Sequence, residues 1–334
     1  MALGDPARYL PDPALSLSGT RSARMDVRME KALAELRRLA ARAENRRTET
    51  GIPRLVMVRG AIPEHELAAV YEPMINLILQ GSKSLTIGGQ TLRYDPATYF
   101  VMTVDLPAVG AVHPAADGEP YLSVGLSLEP AVIASILDAA RPSAGQGSGF
   151  SVAAVTPELL DAWVRLMRLM ERPEDIPVLG PGYEREVLYR VLQGPQGWLL
   201  RDIATPGTAL SRIHAAVRWI RENFDQPLRV EDLARRVAMS ASAFHRQFKR
   251  VTNMSPLQFQ KIIRLMHARR LMMAEALGAA AAATRVGYES ASQFSREYAR
   301  LFGRSPSRDV AALVGEWRGE GTTREESSGL EGSI

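Results

Sequence analysis

The chain of 334 residues has no cysteine. Disulfides, thiolate zinc sites and a cysteine nucleophile are all excluded by that absence. Histidine is scarce, with five residues, and only His65 and His113 come before residue 206. No His-x-His pair occurs, so there is little material for a site of several imidazoles and a carboxylate. No apolar run approaches the roughly 18 residues that a bilayer span requires. The start, MALGDPARYLPDPALSLSG, lacks the basic opening and unbroken apolar core of a secretory signal. These absences predict a cytoplasmic protein with no membrane association, no metal and no cofactor.

What is present is an ordinary globular composition, 46% hydrophobic and 23% charged, with length enough for about two domains. The net charge of +4 is unevenly spread: residues 206–310 carry +10 and the remainder −6. A basic block on a mildly acidic remainder is the footprint of a nucleic-acid module joined to a partner domain.

Residues 1–24 are rich in Pro, Gly, Ser and Arg without periodicity and read as a disordered leader, with Met25 as an alternative start. Residues 25–200 read as one domain. It opens with a helix carrying Met29, Leu33, Leu36 and Ala40 on one face. Strand grammar follows over 52–128: Gly88-Gly89 suits a hairpin, and Leu122 to Leu128 alternate apolar and small residues as a half-buried strand does. Short strands with frequent turns predict a small sandwich or barrel. Two amphipathic helices close the domain, with Trp163 on one and Val187 on the other. Their faces fit either intradomain core or a dimer surface. Residues 201–210 read as a linker, 211–312 as helix throughout, and 315–334 as a polar tail.

The strongest signal is an internal repeat. Ser240-Ala-Ser-Ala-Phe-His-Arg-Gln-Phe-Lys-Arg-Val-Thr-Asn-Met-Ser-Pro256 returns 50 residues later as Ser290-Ala-Ser-Gln-Phe-Ser-Arg-Glu-Tyr-Ala-Arg-Leu-Phe-Gly-Arg-Ser-Pro306, with eight of 17 positions identical. Each copy has helix-turn-helix grammar. Val230–Val237 and Ala279–Val286 are the short first helices, and Gly287 suits the second turn, where a left-handed residue is needed. In the second helices, Phe244, Phe248 and Val251, and again Phe294, Tyr298 and Leu301, fall on one face and predict core. The opposite faces hold Ser242, His245, Arg246 and Lys249 in one copy and Ser292, Ser295 and Arg296 in the other. These are the expected base-contacting residues in the major groove. Arg250 and Arg300 flank the faces and are expected to meet phosphates. Between the copies Ser255, Pro256 and Gln258 form a helix start with a capping box. A helix to Ala274 would span ~28 Å, near the ~34 Å between successive major grooves on one DNA face.

These residues resemble the AraC/XylS family of transcription regulators. The marks are Leu233-Ala234 with Met239 to Lys249, then Val286 to Arg296 and Phe302-Gly-Arg-Ser-Pro306. Tyr71 to Gly81 and Val104 to Pro107 resemble the family's N-terminal domain. The resemblance implies an α+β protein: a cupin-like β-barrel with flanking helices that senses an effector and dimerises, then an all-α DNA-binding domain with two helix-turn-helix motifs. The expected partners are double-stranded operator DNA, a small-molecule effector of unknown binding residues, a second copy of the chain and RNA polymerase. Two departures stand out. Ala279–Ala283 is all alanine where the family places larger aliphatics, and Ala299 takes the place of Lys249.

The rival enzyme reading, a metal-dependent cupin fused to a DNA-binding module, is disfavoured by the histidine count. An alkyl-acceptor repair protein would need a cysteine. A helical interaction scaffold that binds no DNA is the third alternative, and salt-dependent DNA binding distinguishes it.

Overall fold

A computed structural model of the chain describes residues 27–313 apart from 45, 61–67, 97 and 141–146. The leader over 1–24, the alternative start at Met25, His65 and the tail over 315–334 lie outside the described residues. Among the described residues ten strands form two antiparallel sheets. β1 (Arg46–Glu49), β2 (Leu55–Arg59), β4 (Met74–Gln80), β7 (Thr98–Met102), β9 (Leu122–Ser127) and β10 (Phe150–Ala154) make six strands in the order β1-β2-β9-β4-β7-β10. β3 (Ala68–Tyr71), β5 (Ser82–Ile87), β6 (Gln90–Tyr94) and β8 (Leu106–His113) make four in the order β3-β8-β5-β6. The barrel expected from the sequence is thus built as two sheets that do not close. β5 and β6 turn through Gly88-Gly89, both at positive φ, with Ile87 paired to Gln90.

Alternation along the strands divides the six-stranded sheet into two faces. On β4, Ile75, Leu77 and Leu79 join one apolar cluster and Ile78 joins the other. The first cluster lies under the helices α1 (Val27–Ala40), α3 (Pro157–Arg168), α4 (Ile176–Gln193) and α5 (Gly197–Ala204), with the short α2 (Pro130–Ala134) beside them. Trp163 and Val187 are buried here, within the domain's own core. β9 differs from the half-buried strand expected of it. It lies between β2 and β4, and Leu122 to Leu126 are buried on both faces. Its small residues Ser123 and Gly125 face the second sheet instead of solvent, because that sheet covers them.

The C-terminal part is helical: α6 (Ala209–Glu222), α7 (Val230–Arg236), α8 (Ala241–Thr252), α9 (Pro256–Ala274), α10 (Ala279–Arg285) and α11 (Ala291–Phe302), with further helix over 306–313. It is not separate from the β-domain. One apolar cluster runs from Ile78, Leu85 and Phe100 through Ile213 and Val217 to Phe244, Phe248 and Phe259. Four polar contacts cross the same junction. Gly149 N–H donates to the Val251 carbonyl at 2.8 Å. Asn253 Nδ2 donates to the carbonyls of Ile87 (3.1 Å) and Gly88 (3.2 Å). Arg221 Nη1 pairs with Asp105 Oδ1 at 2.8 Å.

Candidate nucleic-acid interface

The first motif is α7, a turn and α8. Ser240 caps α8, its hydroxyl accepting from the Ala243 N–H at 3.3 Å. Phe244, Phe248 and Val251 are buried, as their spacing predicts. The opposite face of α8 presents Ser242, His245, Arg246 and Lys249, all exposed. None of the four takes part in an ion pair among the described residues, so the charges of Arg246 and Lys249 are available to an outside partner. Arg250 is placed differently from the others. It is half-buried, its Nε is enclosed, and it is close enough to Asp202 of α5 to pull down a carboxyl that burial otherwise pushes up.

The second motif repeats this arrangement with α10, a turn and α11. Ser290 caps α11 by accepting from Gln293 N–H at 3.3 Å. Phe294 and Tyr298 are buried. Ser292, Arg296 and Arg300 are exposed; Ser295 is half-buried, and its hydroxyl donates back to the Ala291 carbonyl at 2.9 Å. The second face therefore offers fewer free donors than the first. Both helices end in a left-handed residue, Asn253 in α8 and Gly303 in α11, 50 positions apart.

The connector α9 has the expected bounds and the expected capping box at Ser255 and Gln258. Its rigidity comes from side chains that sequence reasoning did not single out. Arg264 Nε donates to the Phe224 carbonyl at 2.6 Å, Nη1 to the Gly287 carbonyl at 2.8 Å and Nη2 to the Gln226 carbonyl at 3.0 Å. Gln260 Nε2 joins it on the Phe224 (3.0 Å) and Gln226 (2.7 Å) carbonyls. One guanidinium thus holds the loop leading from α6 into the first motif and the turn of the second. A planar fork with several donors can satisfy carbonyls on both sides at once. Lys261 adds an ion pair to Glu297 of α11 at 2.8 Å. A mid-helix polar residue among apolar neighbours is the only signal of this in the sequence.

Among the described residues no group of three or more His, Asp or Glu side chains gathers as a metal site, and His113 Nε2 lies 3.2 Å from Ser84 Oγ. No helix of the described residues is long and apolar enough to cross a membrane.

Comparison with known proteins agrees with this geometry. Residues 51–199 match the model of the AraC-type transcriptional regulator N-terminus, and residues 233–311 match a helix-turn-helix domain. The HTH-type transcriptional regulator ArgR of Pseudomonas aeruginosa is 26% identical over 144 residues, covering 43% of this chain and 44% of ArgR. The HTH-type transcriptional activator RhaS of Escherichia coli is 28% identical over 149 residues, 44% of this chain and 52% of RhaS. The chain thus spans about half the length of the curated relatives it matches. In fold it is similar to ToxT from Vibrio cholerae O395, solved with (E)-4-(8-methylnaphthalen-1-yl)but-3-enoic acid bound, with a TM-score of 0.51 and 11% identity over 78% of this chain and 99% of that one. Residues 51–199 are thus those of an AraC-type transcriptional regulator N-terminus, and residues 233–311 those of a helix-turn-helix domain.

Proposed function

We propose that this chain is a sequence-specific DNA-binding transcriptional regulator whose two motifs read adjacent major grooves on one face of the duplex. The observation that carries the reading is the pair of exposed faces on α8 and α11 joined by one clamped helix. Ser242, His245, Arg246, Lys249, Ser292, Ser295 and Arg296 are the proposed base-reading residues. Arg300 is the proposed phosphate contact. Arg250 is proposed as a weaker one, since its guanidinium is shared with the α5 side. The N-terminal domain is proposed to sense a small molecule, as the acid bound by ToxT illustrates for a similarly folded protein. A second copy of the chain and RNA polymerase are its further proposed partners, with the chromosome in the cytoplasm as the place of action. A regulator is favoured over a catalyst because the matched regions are those of regulators and His113 is engaged with Ser84.

The test is fluorescence anisotropy of the full chain on a selected operator at one salt concentration, then across a salt series. Two sub-sites about 10–10.5 bp apart are expected. Inserting about five base pairs should abolish two-motif binding, and inserting a full turn should not restore it, because α9 cannot lengthen. Full recovery on the longer insertion would show the two motifs to be flexibly joined. Binding without salt dependence, or no binding at all, would favour the interaction scaffold.

A further inference from the structure

Lys83 stands at a place where a lysine is out of character. It is on β5 between Tyr94 on β6 and Val112 on β8, on the same face as Leu85 and Ile87, and is only 9% exposed. Its ammonium lies 4.8 Å from the centre of the Tyr71 ring. Among the described residues no carboxylate pairs with it and no hydrogen-bond acceptor takes its protons; the Tyr71 ring alone faces it. Burial lowers its pKa to about 8, so it is still mainly charged at neutral pH. A buried ammonium facing only a ring quadrupole is under-compensated, since a buried charge is normally paired.

The surroundings are polar in a way an ordinary sandwich core is not. Tyr94 stacks on Phe100 across the two sheets at 5.3 Å, and its hydroxyl donates to Asn76 Oδ1 at 3.1 Å. Tyr71 and Tyr121 are near enough to oppose the ionisation of Tyr94, and burial raises the pKa of all three phenols. They therefore remain neutral donors. Opposite them β9 presents Ser123 and Gly125, the small half of its alternation. One cation, neutral phenols, aromatic walls and small residues facing them suit one chemical class of guest: a small organic anion with an apolar body.

Resting on the reading of the N-terminal domain as a sensor, we infer that a small organic carboxylate binds between the two sheets with its charge met by Lys83. β5 ends at Ile87, whose carbonyl with that of Gly88 accepts from Asn253 at the end of α8. The same strand therefore joins this site to the first motif.

The test is calorimetric and thermal-shift titration of the full chain with sodium octanoate, benzoate and phenylacetate, and with octanamide, benzamide and phenylacetamide as neutral counterparts. At least one acid is expected to bind and raise the melting temperature, and its amide is not. Lys83→Met should lose at least about thirtyfold in affinity for that acid, as expected when one partner of a buried charge pair is removed. Lys83→Gln should lose a similar factor, which guards against a folding defect peculiar to one variant. Without ligand, Lys83→Met should melt at or above the wild-type temperature, because it removes a buried charge that lacks an anion. The inference is overturned if no acid binds, if the amides bind as well as the acids, or if both variants keep wild-type affinity. It is also overturned if both variants melt well below the wild type without ligand, which would make Lys83 a structural residue. Operator binding is measured separately; its failure would strike the regulatory reading and leave this ligand site untouched.

Discussion

Phe248 and Tyr298 occupy the same place in the two copies of the repeat, 50 residues apart, and one hydroxyl separates them. Phe248 packs edge-on against Phe259 of α9, with ring centres 5.6 Å apart. The position corresponding to Phe259 in the second copy is Asp309, and there Tyr298 donates to its carboxylate at 2.7 Å. Arg269 completes the arrangement with two hydrogen bonds to the same carboxylate, at 2.8 and 3.0 Å, while its guanidinium lies over the Phe302 ring. An aromatic pair in one motif is thus replaced by a buried ion pair in the other. The surroundings explain the difference. The first motif shares its apolar cluster with the β-domain, whereas the second has a smaller cluster of its own, to which α10 contributes only Ala282 and Ala283 as fully buried residues. Less apolar area is removed from water there, so directed contacts carry more of the stability.

The largest effect is expected where that directed contact is broken. Asp309→Ala leaves a buried guanidinium without its carboxylate and should destabilise the second motif by about 3–5 kcal/mol. Hydrogen exchange on the full chain should show the loss in α10 and α11 and leave the β-domain protected. Replacing both partners, Asp309→Leu with Arg269→Met, should recover most of it. Protection in α11 unchanged by Asp309→Ala would mean that the ion pair does not support this motif.

The two turns form a second matched pair. Ala238 and Gly287 are both left-handed, at φ 53° and 84°. A Cβ on Gly287 would lie 2.1 Å from the Asp225 carbonyl oxygen, so the second turn is pressed against the loop of the first motif where Arg264 binds both. Gly287→Ala should cost about 2–3 kcal/mol by strain and displacement together. Gly303→Ala, at φ 75° with nothing within 4 Å of the added carbon, should cost only about 1 kcal/mol. Equal costs in chemical denaturation would show that the close approach at Gly287 is not a constraint.

These pairs also show how far the sequence could be read. Both recognition helices, the capping box at Ser255 and the buried faces at Phe244 and Phe294 follow from spacing, because helical periodicity and cap chemistry are local. The seven proposed base-reading residues sit on the faces that spacing assigns, though Ser295 turns its hydroxyl back to its own helix. What was not legible depends on distant partners. Arg264 meets carbonyls 23 to 40 positions away, Asn253 meets a hairpin more than 160 residues earlier, and Arg250 lies near Asp202. The small residues of β9 read as a solvent face because alternation reports two faces without saying what covers each.

On DNA the comparison turns from stability to recognition. Arg246→Ala should weaken operator binding by about 1–3 kcal/mol and relax preference at one base position. Arg296→Ala should cost less, since its face lacks a counterpart to Lys249. Arg300→Ala should weaken specific and random DNA alike and lower the salt slope by about one. Binding titrations on operator and scrambled DNA at several salt concentrations check all three, and equal losses for Arg246→Ala and Arg296→Ala would remove the ranking of the motifs.

The smallest effect is expected where one atom group distinguishes the two helix ends. Asn253 and Gly303 close α8 and α11 in the same left-handed conformation, each N–H bonding back to Lys249 or Ala299. Only Asn253 also carries a side chain that reaches the β5–β6 turn. Asn253→Gly keeps the backbone geometry, which glycine adopts at least as easily, and deletes only the two side-chain bonds to the Ile87 and Gly88 carbonyls. The net loss should be about 1 kcal/mol, because water can satisfy the exposed Gly88 carbonyl while the more enclosed one of Ile87 loses a donor. It should appear as faster hydrogen exchange at the end of α8 and in the hairpin, with the second motif unaffected. A second substitution, Asp105→Asn, weakens the ion pair to Arg221 at the same junction, and the loss in the double variant should differ from the sum of the single losses if these contacts hold one interface. Strict additivity would mean that the first motif rests on the β-domain through its apolar cluster alone, and that the polar contacts at its edge merely accompany it.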